Sequence, residues 1–218
     1  MNKLLSALLI MCLPVLANAN VGAEVELSVA PINVDDKVSL QRGAQIFINN
    51  CLGCHSAQYM RYERMAEDLE IPIDILKKNL LFTSERPGDP MLTSMPKDLA
   101  KKWFGVVPPD LTLEARLRGA DWVYSYLTGF YTDPKRPWKV NNHVFPDVGM
   151  PHVLSNMEKQ LGEKAFKEAM ADLTNYMVYM SEPMRADRER IGVYVLLFLA
   201  IFFIPVYFLN REYWKDVH

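Results

Sequence analysis

Hydrophobic side chains recur at helical spacing in three stretches of the chain, and this pattern predicts three amphipathic helices. The first leads up to residue 50, the second runs from about residue 111 to 127, and the third from about residue 163 to 180. The apolar positions of the first and third helices are Leu40, Ala44, Phe47 and Ile48, and Phe166, Met170, Leu173, Met177 and Met180. Because helical spacing already accounts for these methionines, we interpret them as core residues.

The segments between these helices are rich in proline and show little of the alternation that is typical of strands. Nine prolines lie between residues 87 and 151, and a pair of them precedes the second helix, which Asp110 or Thr112 could cap. The pattern therefore predicts a mainly α fold, whose helices are separated by long, proline-stiffened loops.

Two longer apolar runs stand at the ends of the chain. The first, from Leu4 to Leu16, follows Lys3 and precedes small residues at positions 17 and 19, an arrangement typical of a signal peptide. The second, from Ile191 to Leu209, has nineteen residues without a charge and is long enough for a transmembrane helix. Together they predict an exported protein with one C-terminal membrane anchor.

These runs divide the chain into four parts. We expect a signal peptide over 1–19, a periplasmic domain over 20–188, a transmembrane helix over 189–210 and a cytoplasmic tail over 211–218. Basic residues flank both ends of the span, so the expected orientation follows from the signal peptide and not from the charges. The predicted location is the bacterial inner membrane, with a single pass through the lipid and the large domain on the periplasmic side.

The charges are nearly balanced, with 24 Lys and Arg against 26 Asp and Glu and a net charge of −2. A nucleic-acid-binding domain usually carries a pronounced basic patch, which this composition does not suggest. We therefore expect no nucleic-acid partner.

Two of the three cysteines belong to the motif Cys51-Leu52-Gly53-Cys54-His55, and the third, Cys12, lies in the predicted signal peptide. Four interpretations of the motif compete. A zinc site needs four ligands, and no second cysteine pair or close histidine pair supplies them. A thioredoxin-like pair follows a strand, whereas a helix is predicted here. A disulfide across so short a loop would stabilise little.

The fourth interpretation is covalent haem attachment, in which both thiols bind the porphyrin and the adjacent histidine ligates the iron. Export supports this interpretation, because such attachment takes place outside the cytoplasm. We therefore predict one covalent haem c on Cys51 and Cys54, with His55 as an iron ligand.

A second axial ligand must come from elsewhere in the chain. Of the methionines outside the helical stripes, Met91, Met95 and Met150 are predicted loop residues, and His143 is a further candidate. Met150 is favoured because Gly149 would allow a close backbone approach and the following proline would stiffen the exit from the turn. His143 and Met95 remain alternatives at this point.

The order of motifs resembles the cytochrome c1 family, the haem subunit of the ubiquinol:cytochrome c oxidoreductase (bc1) complex, in its bacterial form. The resemblance covers nearly the whole mature chain and is carried by the segments RGAQIFINNCLGCHSAQYMRY, PPDLT, RGADWVYSYLTGF, FPDVGMP and MSEPMRADRERIG. It implies a class I cytochrome c-like haem domain with loop insertions and one C-terminal transmembrane helix. It also implies that the first and last helices of this domain cross, with Gly43 and Phe47 against Tyr176.

The resemblance also implies roles for individual residues. Cys51 and Cys54 match the haem-binding cysteines of the family, and His55 and Met150 match its two axial ligands. The prolines at 108 and 109 match residues that line the haem pocket, so Pro109 is a predicted haem contact. Arg118 matches an arginine that contacts a haem propionate, although Arg116 competes for that role.

The implied function is electron relay and not catalysis by this chain itself. Electrons would arrive from the Rieske iron–sulfur protein and leave to a soluble or membrane-anchored cytochrome c, with cytochrome b beside the anchor. Two alternatives are a membrane-anchored carrier that serves an oxidase without a quinol-oxidising complex, and a haem enzyme or sensor with an open iron position.

Overall fold

The computed structural model describes residues 25–216, and the helices predicted from the sequence lie within this range. The predicted signal peptide, Cys12 and His218 lie outside the described residues. The helices are α1 (Lys37–Asn50), α2 (Tyr62–Asp68), α3 (Ile73–Asn79), α4 (Lys97–Phe104), α5 (Glu114–Arg118), α6 (Ala120–Thr128), α7 (Ser155–Ser181) and α8 (Arg185–Tyr213). The strands are β1 (Ala57–Arg61), β2 (Pro90–Met91), β3 (Phe130–Thr132) and β4 (Val140–Asn142).

The first helix forms as the sequence predicts. The carboxylate of Asp36 caps α1 by accepting from the amides of Val38 and Ser39, at 3.0 and 3.1 Å. The predicted apolar stripe is buried, and the buried hydrophobic positions of α1 are Leu40, Ala44, Phe47 and Ile48. A hydrophobic face of this kind stabilises a helix chiefly through packing against a partner.

That partner is α7, and the two helices cross at Gly43. A Cβ atom at this position would lie 2.1 Å from the carbonyl oxygen of Asp172 and 2.7 Å from the Cβ atom of Tyr176. The rings of Phe47 and Tyr176 pack beside the crossing, with centroids 5.6 Å apart. Arg42 adds a two-point ion pair to the Asp172 carboxylate, at 2.5 and 2.9 Å. The expected crossing is confirmed.

Two glycines change the predicted extent of the other helices. The 111–127 prediction was wrong in its continuity, because Gly119 adopts φ +90° and separates α5 from α6. The 163–180 prediction is confirmed for the part of α7 that follows Gly162, where φ is +74° and the path is non-helical, whereas the helical segment from Ser155 up to this break was not predicted. In both places a glycine with a positive φ angle interrupts the helix.

The loop-rich region between α1 and α5 contains three short helices that hydrophobic periodicity did not reveal, α2, α3 and α4. Strand β1 pairs with β2 and β3 pairs with β4, both antiparallel, as two small two-stranded sheets. The scarcity of strand expected from the sequence is confirmed. The buried core nevertheless includes side chains from these insertions, among them Tyr62, Met65, Leu76 and Met91.

The last helix, α8, contains the predicted membrane span and extends beyond it at both ends. The segment Asp187–Tyr213 is long and apolar enough to cross a membrane, with a mean hydropathy of 2.5 and none of its apolar window buried against the protein. Only residues 182–184 separate α8 from α7. Within this connection Glu182 accepts from Arg188 at 2.7 Å and lies 3.7 Å from Arg116.

Gly43→Ala should destabilise the fold, because the added methyl group has no space between α1 and the backbone of α7. We expect a loss of about 3 kcal/mol, at the upper end of the cost of overpacking, which corresponds to a fall of roughly 6–12 °C in unfolding temperature for a chain of this size. Thermal unfolding of the detergent-solubilised chain, followed by circular dichroism, measures the change.

Gly88→Ala is the matched control, since its Cβ atom would meet only the carboxylate of Glu63 at an ordinary 3.5 Å. An unfolding temperature for Gly43→Ala equal to that of this control would contradict the close crossing.

Candidate haem site

The turn after α1 carries the three reactive side chains of the Cys-x-x-Cys-His motif. The amide of Cys51 continues the helical pattern by donating to the carbonyl of Phe47 at 2.8 Å. The amides of Cys54 and His55 then both donate to the carbonyl of Cys51, at 3.0 and 2.9 Å. These bonds form one compact turn, so α1 fixes the position of all three side chains.

The two thiols are free and protonated. Burial raises the pKa of Cys51 to about 12, with a smaller contribution from the neighbouring Cys54, and burial also raises the pKa of Cys54. Redox pairs instead lower thiol pKa values to obtain thiolates, so these thiols are unlike those of a thioredoxin-like pair. No group of three His, Cys, Asp or Glu side chains is arranged to hold a metal ion anywhere in residues 25–216, so the described residues do not supply the further ligands that a zinc site needs.

The imidazole of His55 is oriented by one hydrogen bond. Its Nδ1 lies 2.8 Å from the carbonyl oxygen of Pro109. A carbonyl can only accept, so Nδ1 carries the hydrogen and Nε2 keeps a lone pair. Burial lowers the pKa of His55, and the bond to Pro109 opposes this shift. The result is a neutral imidazole whose Nε2 can bind a metal.

The segment that contains Pro109 is itself tied to the residues after the motif. The amide of Leu111 donates to the carbonyl of Ser56 at 2.9 Å, and the amide of Gln58 donates to the carboxylate of Asp110 at 2.8 Å. Asp110 also accepts from the amide of Thr112 at 2.9 Å. The prediction that Asp110 or Thr112 caps the following helix was wrong, because both side chains instead hold this loop beside His55, and α5 begins without a side-chain cap.

A second loop supports the motif from another side. Thr93 donates through its hydroxyl to the carbonyl of Gly53 at 2.8 Å, and the same hydroxyl accepts from the amide of Met95 at 3.1 Å. Met95 therefore lies on a loop fixed to the motif, and it remains a candidate ligand. Met91 is wholly buried in the core, where the Tyr176 hydroxyl lies 3.7 Å from its sulfur. That position removes Met91 from the candidates.

The loop that leads to Met150 is organised by Asn142, a buried residue at the end of β4. Its side-chain oxygen accepts from the amides of Val144 and Phe145, at 2.9 and 3.2 Å. Its side-chain nitrogen donates to the carbonyl of Tyr126 at 2.7 Å. Asn142 thus joins this loop to α6, and a buried amide with three partners is costly to replace.

Arg136 fixes the other end of the same loop, immediately before Met150. Its guanidinium donates to the carboxylate of Asp147 at 2.8 Å and to the carbonyls of Asp147 and Val148, at 2.5 and 3.2 Å. Asp147 adopts φ +63°, and its amide donates to the side chain of Asn141 at 2.9 Å. These bonds support a left-handed conformation that is uncommon for a residue other than glycine.

Met150 is partly buried, and its sulfur lies 3.4 Å from the hydroxyl oxygen of Tyr126. A Cβ atom at Gly149 would meet Val106 and the carbonyl of Phe104 at 3.8 and 4.0 Å, which are ordinary contacts, so packing within the protein does not require glycine here. Side-chain hydrogen bonds hold the loop, and the close approach of Gly149 to a bound haem stays a prediction.

The two histidines near this loop have other neighbours. His143 is exposed and stacks on Tyr131, with ring centroids 4.4 Å apart. His152 stacks on Phe130 at 4.7 Å, and its Nε2 lies 2.8 Å from the carboxylate of Glu158. An exposed histidine on a hairpin is less suited than a partly buried thioether to a ligand position shielded from water.

The two candidate arginines lie in different surroundings. The guanidinium of Arg118 lies 4.3 Å from the ring centroid of Trp122 and bonds to Glu114 at 2.9 Å. Arg116 instead lies 3.7 Å from Glu182, at the junction with α8. The structure therefore associates Arg118 with the aromatic residues of α6, and Arg116 with the membrane anchor.

Those aromatic residues were not among the predicted site residues. Trp122 and Tyr126 stack on one face of α6, with centroids 5.2 Å apart and planes 8° apart, and Phe130 meets Tyr126 edge-on at 5.3 Å. Burial raises the pKa of Tyr126 to about 12, while nearby Arg118 opposes the shift, so its hydroxyl stays protonated. The spacing of four residues between these rings was a usable signal in the sequence.

The donor types described here fit a covalently bound haem. They include two neutral thiols on one turn, an imidazole whose Nε2 is left with a lone pair, and a thioether on a separately anchored loop. These are the groups by which c-type cytochromes hold haem and its iron. The residues that would provide them are Cys51, Cys54, His55 and Met150.

Comparison with known proteins agrees with this chemistry. The model of the Cytochrome C1 family matches residues 29–217. Cytochrome c1 of Allochromatium vinosum is 46% identical over an alignment of 245 positions that spans the whole of both chains. A protein of Nitrosomonas europaea named ammonia monooxygenase gamma subunit is 41% identical over an alignment of 228 positions, which covers 97% of each chain. Cytochrome c1 of Rhodospirillum rubrum is 28% identical over an alignment of 228 positions, which covers 84% of this chain and 83% of the relative.

The match to the family model covers most of the chain, and the relative from Allochromatium extends over its full length. The crossed helices, the Cys-x-x-Cys-His motif and the C-terminal apolar helix are all part of the matched region. The chain belongs to the cytochrome c1 family, whose members are the haem subunit of the bc1 complex and transfer electrons without being enzymes by themselves.

Proposed function

We propose that the domain of residues 20–188 carries a single haem c, bound through thioether bonds to Cys51 and Cys54 and ligated by His55 and Met150. The observation that carries this proposal is the hydrogen bond from His55 Nδ1 to the carbonyl of Pro109, which leaves Nε2 available directly after two free thiols. Pro109 is then a contact that orients the proximal ligand.

The two thiols are suited to attachment. Cys51 and Cys54 would hold the group through two thioether bonds, and the addition of each S–H group to a vinyl group would consume no oxidant or reductant. Both thiols lie on one turn whose backbone is fixed by the carbonyls of Phe47 and Cys51. A haem attached there would therefore be held by the turn that follows α1.

Met150 and Arg118 complete the proposed site. A thioether is a soft, neutral ligand that favours ferrous iron, so Met150 would hold the reduction potential high. Arg118 would pair with a propionate, since its guanidinium already lies beside Trp122 on the face of α6 that includes Tyr126.

When bound, the haem supplies a one-electron couple between ferrous and ferric iron. Hydrogen bonds fix the segments that carry His55 and Met150, and the stacked rings of Trp122 and Tyr126 lie on the Met150 side. We propose that the electron donor is the Rieske iron–sulfur protein, the acceptor is a soluble or membrane-anchored cytochrome c, and cytochrome b packs beside α8. Family membership and the exposed apolar surface of α8 support this arrangement.

The same reasoning extends to location. We propose that the chain crosses the bacterial inner membrane once, over residues 189–210, with the haem domain in the periplasm and residues 211–218 in the cytoplasm. The apolar helix and the signal-like run at the N-terminus support this topology.

Cys51→Ala and Cys54→Ala should each strongly reduce the haem that stays with the chain during denaturing electrophoresis, because each change removes one thioether bond. Haem staining of the gel, normalised to the amount of protein, measures the loss. Undiminished staining in both variants would show that neither thiol carries haem.

Met150→Leu should leave the haem covalently attached but open the sixth coordination position. The ferrous protein should then bind carbon monoxide, and its potential should fall by a substantial fraction of the roughly 0.8 V range that axial ligands command. Redox titration and carbon monoxide difference spectra measure both effects.

His143→Ala is the control for Met150→Leu, since this histidine is exposed and contacts Tyr131. A low-spin spectrum and an unchanged potential in the Met150 variant, together with loss of both in the His143 variant, would transfer the ligand role to His143. Met95→Leu tests the remaining methionine in the same way.

Mild detergent extraction should retain a multi-span b-type cytochrome and an iron–sulfur protein with this chain. Mass spectrometry of the purified complex, with haem and iron–sulfur spectra, identifies them. Retention of terminal oxidase subunits instead, with neither of these partners, would favour the carrier that serves an oxidase.

A further inference from the structure

The hydroxyl of Tyr126 lies 3.4 Å from the sulfur of Met150, within hydrogen-bonding distance for a sulfur acceptor. A thioether has no hydrogen to donate, so the phenol must be the donor. This contact joins two segments 24 residues apart in the chain. It is not required by the local conformation of either segment.

The Tyr126 side chain is held in place from two sides. Its ring stacks on Trp122, at 5.2 Å between centroids and 8° between planes, and meets the edge of Phe130 at 5.3 Å. The ring therefore has little freedom to rotate its hydroxyl away from Met150.

The backbone fixes the same contact from the other direction. The carbonyl of Tyr126 accepts from the side chain of Asn142 at 2.7 Å, and Asn142 also holds the amides of Val144 and Phe145 in the loop that leads to Met150. The residue that presents the hydroxyl is thus anchored to the loop that presents the sulfur.

A thioether sulfur has two lone pairs, and an axial ligand uses only one of them for the iron. A hydrogen bond to the second lone pair withdraws electron density from sulfur and weakens it as a donor. Ferric iron depends on donor strength more than ferrous iron does, so a weaker donor favours the ferrous form. Hydrogen bonding to ligands is one of the means by which a protein adjusts a haem potential.

We infer that Tyr126 is a positioning residue for Met150, whose hydroxyl keeps the thioether in place and raises the reduction potential by hydrogen bonding to its sulfur. The inference rests on the proposed function, because it requires Met150 to be an axial ligand. It assigns to one hydroxyl group an effect on potential beyond that of the ligand pair itself.

Tyr126→Phe tests the inference, because it removes the hydroxyl and keeps the ring that stacks on Trp122 and Phe130. Redox titration of the full-length, haem-loaded chain in detergent should show a lower midpoint potential. At a fixed ambient potential near the midpoint, the ratio of reduced to oxidised protein should fall roughly two- to tenfold, which is the size of effect that the net contribution of one hydrogen bond supports. The sulfur-to-iron charge-transfer absorption of the ferric protein should shift, while the spectrum stays low-spin.

Tyr124→Phe is the matched control. It makes the same chemical change on the same helix, at a residue whose hydroxyl forms no hydrogen bond to Met150 in the described part of the chain. It should therefore leave the potential and the charge-transfer absorption unchanged. An equal fall in both variants would overturn the inference. So would an unchanged or higher potential in Tyr126→Phe, which would indicate that the ring is sufficient without the hydroxyl.

Met150→Leu separates failure of this inference from failure of the proposed function. If Met150→Leu opens the sixth position and Tyr126→Phe changes nothing, Met150 is a ligand but the hydroxyl has no role in its potential. If Met150→Leu itself keeps the low-spin spectrum and the potential, the ligand assignment fails, and the inference fails with it.

Discussion

The contact between α1 and α7 at Gly43 is the constraint on which the rest of the domain depends. Because no side chain separates the two backbones there, Phe47 reaches Tyr176, and the buried Tyr176 hydroxyl reaches the sulfur of Met65 at 3.2 Å. The same crossing fixes the C-terminal end of α1, from which the Cys-x-x-Cys-His turn begins. The helix pair thus supports both the hydrophobic core and the half of the site that would hold haem covalently.

Polar side chains on loops hold the segments that would complete the proposed site. Asp110 holds the segment that presents the Pro109 carbonyl to His55, whereas Asn142 and Arg136 hold the segment that leads to Met150. A loop bound through several side chains can keep an axial donor at a fixed distance without being part of a helix. Small movement of the ligands between oxidation states is what rapid electron relay requires.

Much of this architecture could be predicted from the sequence, because hydrophobic periodicity reports burial directly. The stripe of α1, the methionine-rich face of α7 and the apolar C-terminal helix are features of this kind. The break at Gly119 was missed because the apolar pattern continues through it. The roles of Asp110, Asn142 and Arg136 were missed because each depends on a partner from a distant segment or on a loop conformation, and periodicity carries no information about either.

The short junction before α8 has a mechanical consequence. Residues 182–184 are too few to form a flexible tether, and Glu182 is braced by Arg188 within α8 and by Arg116 from the haem domain. The short junction and these ion pairs therefore restrict how far the domain can turn relative to its anchor. A partner that exchanges electrons with this subunit would then have to move toward it.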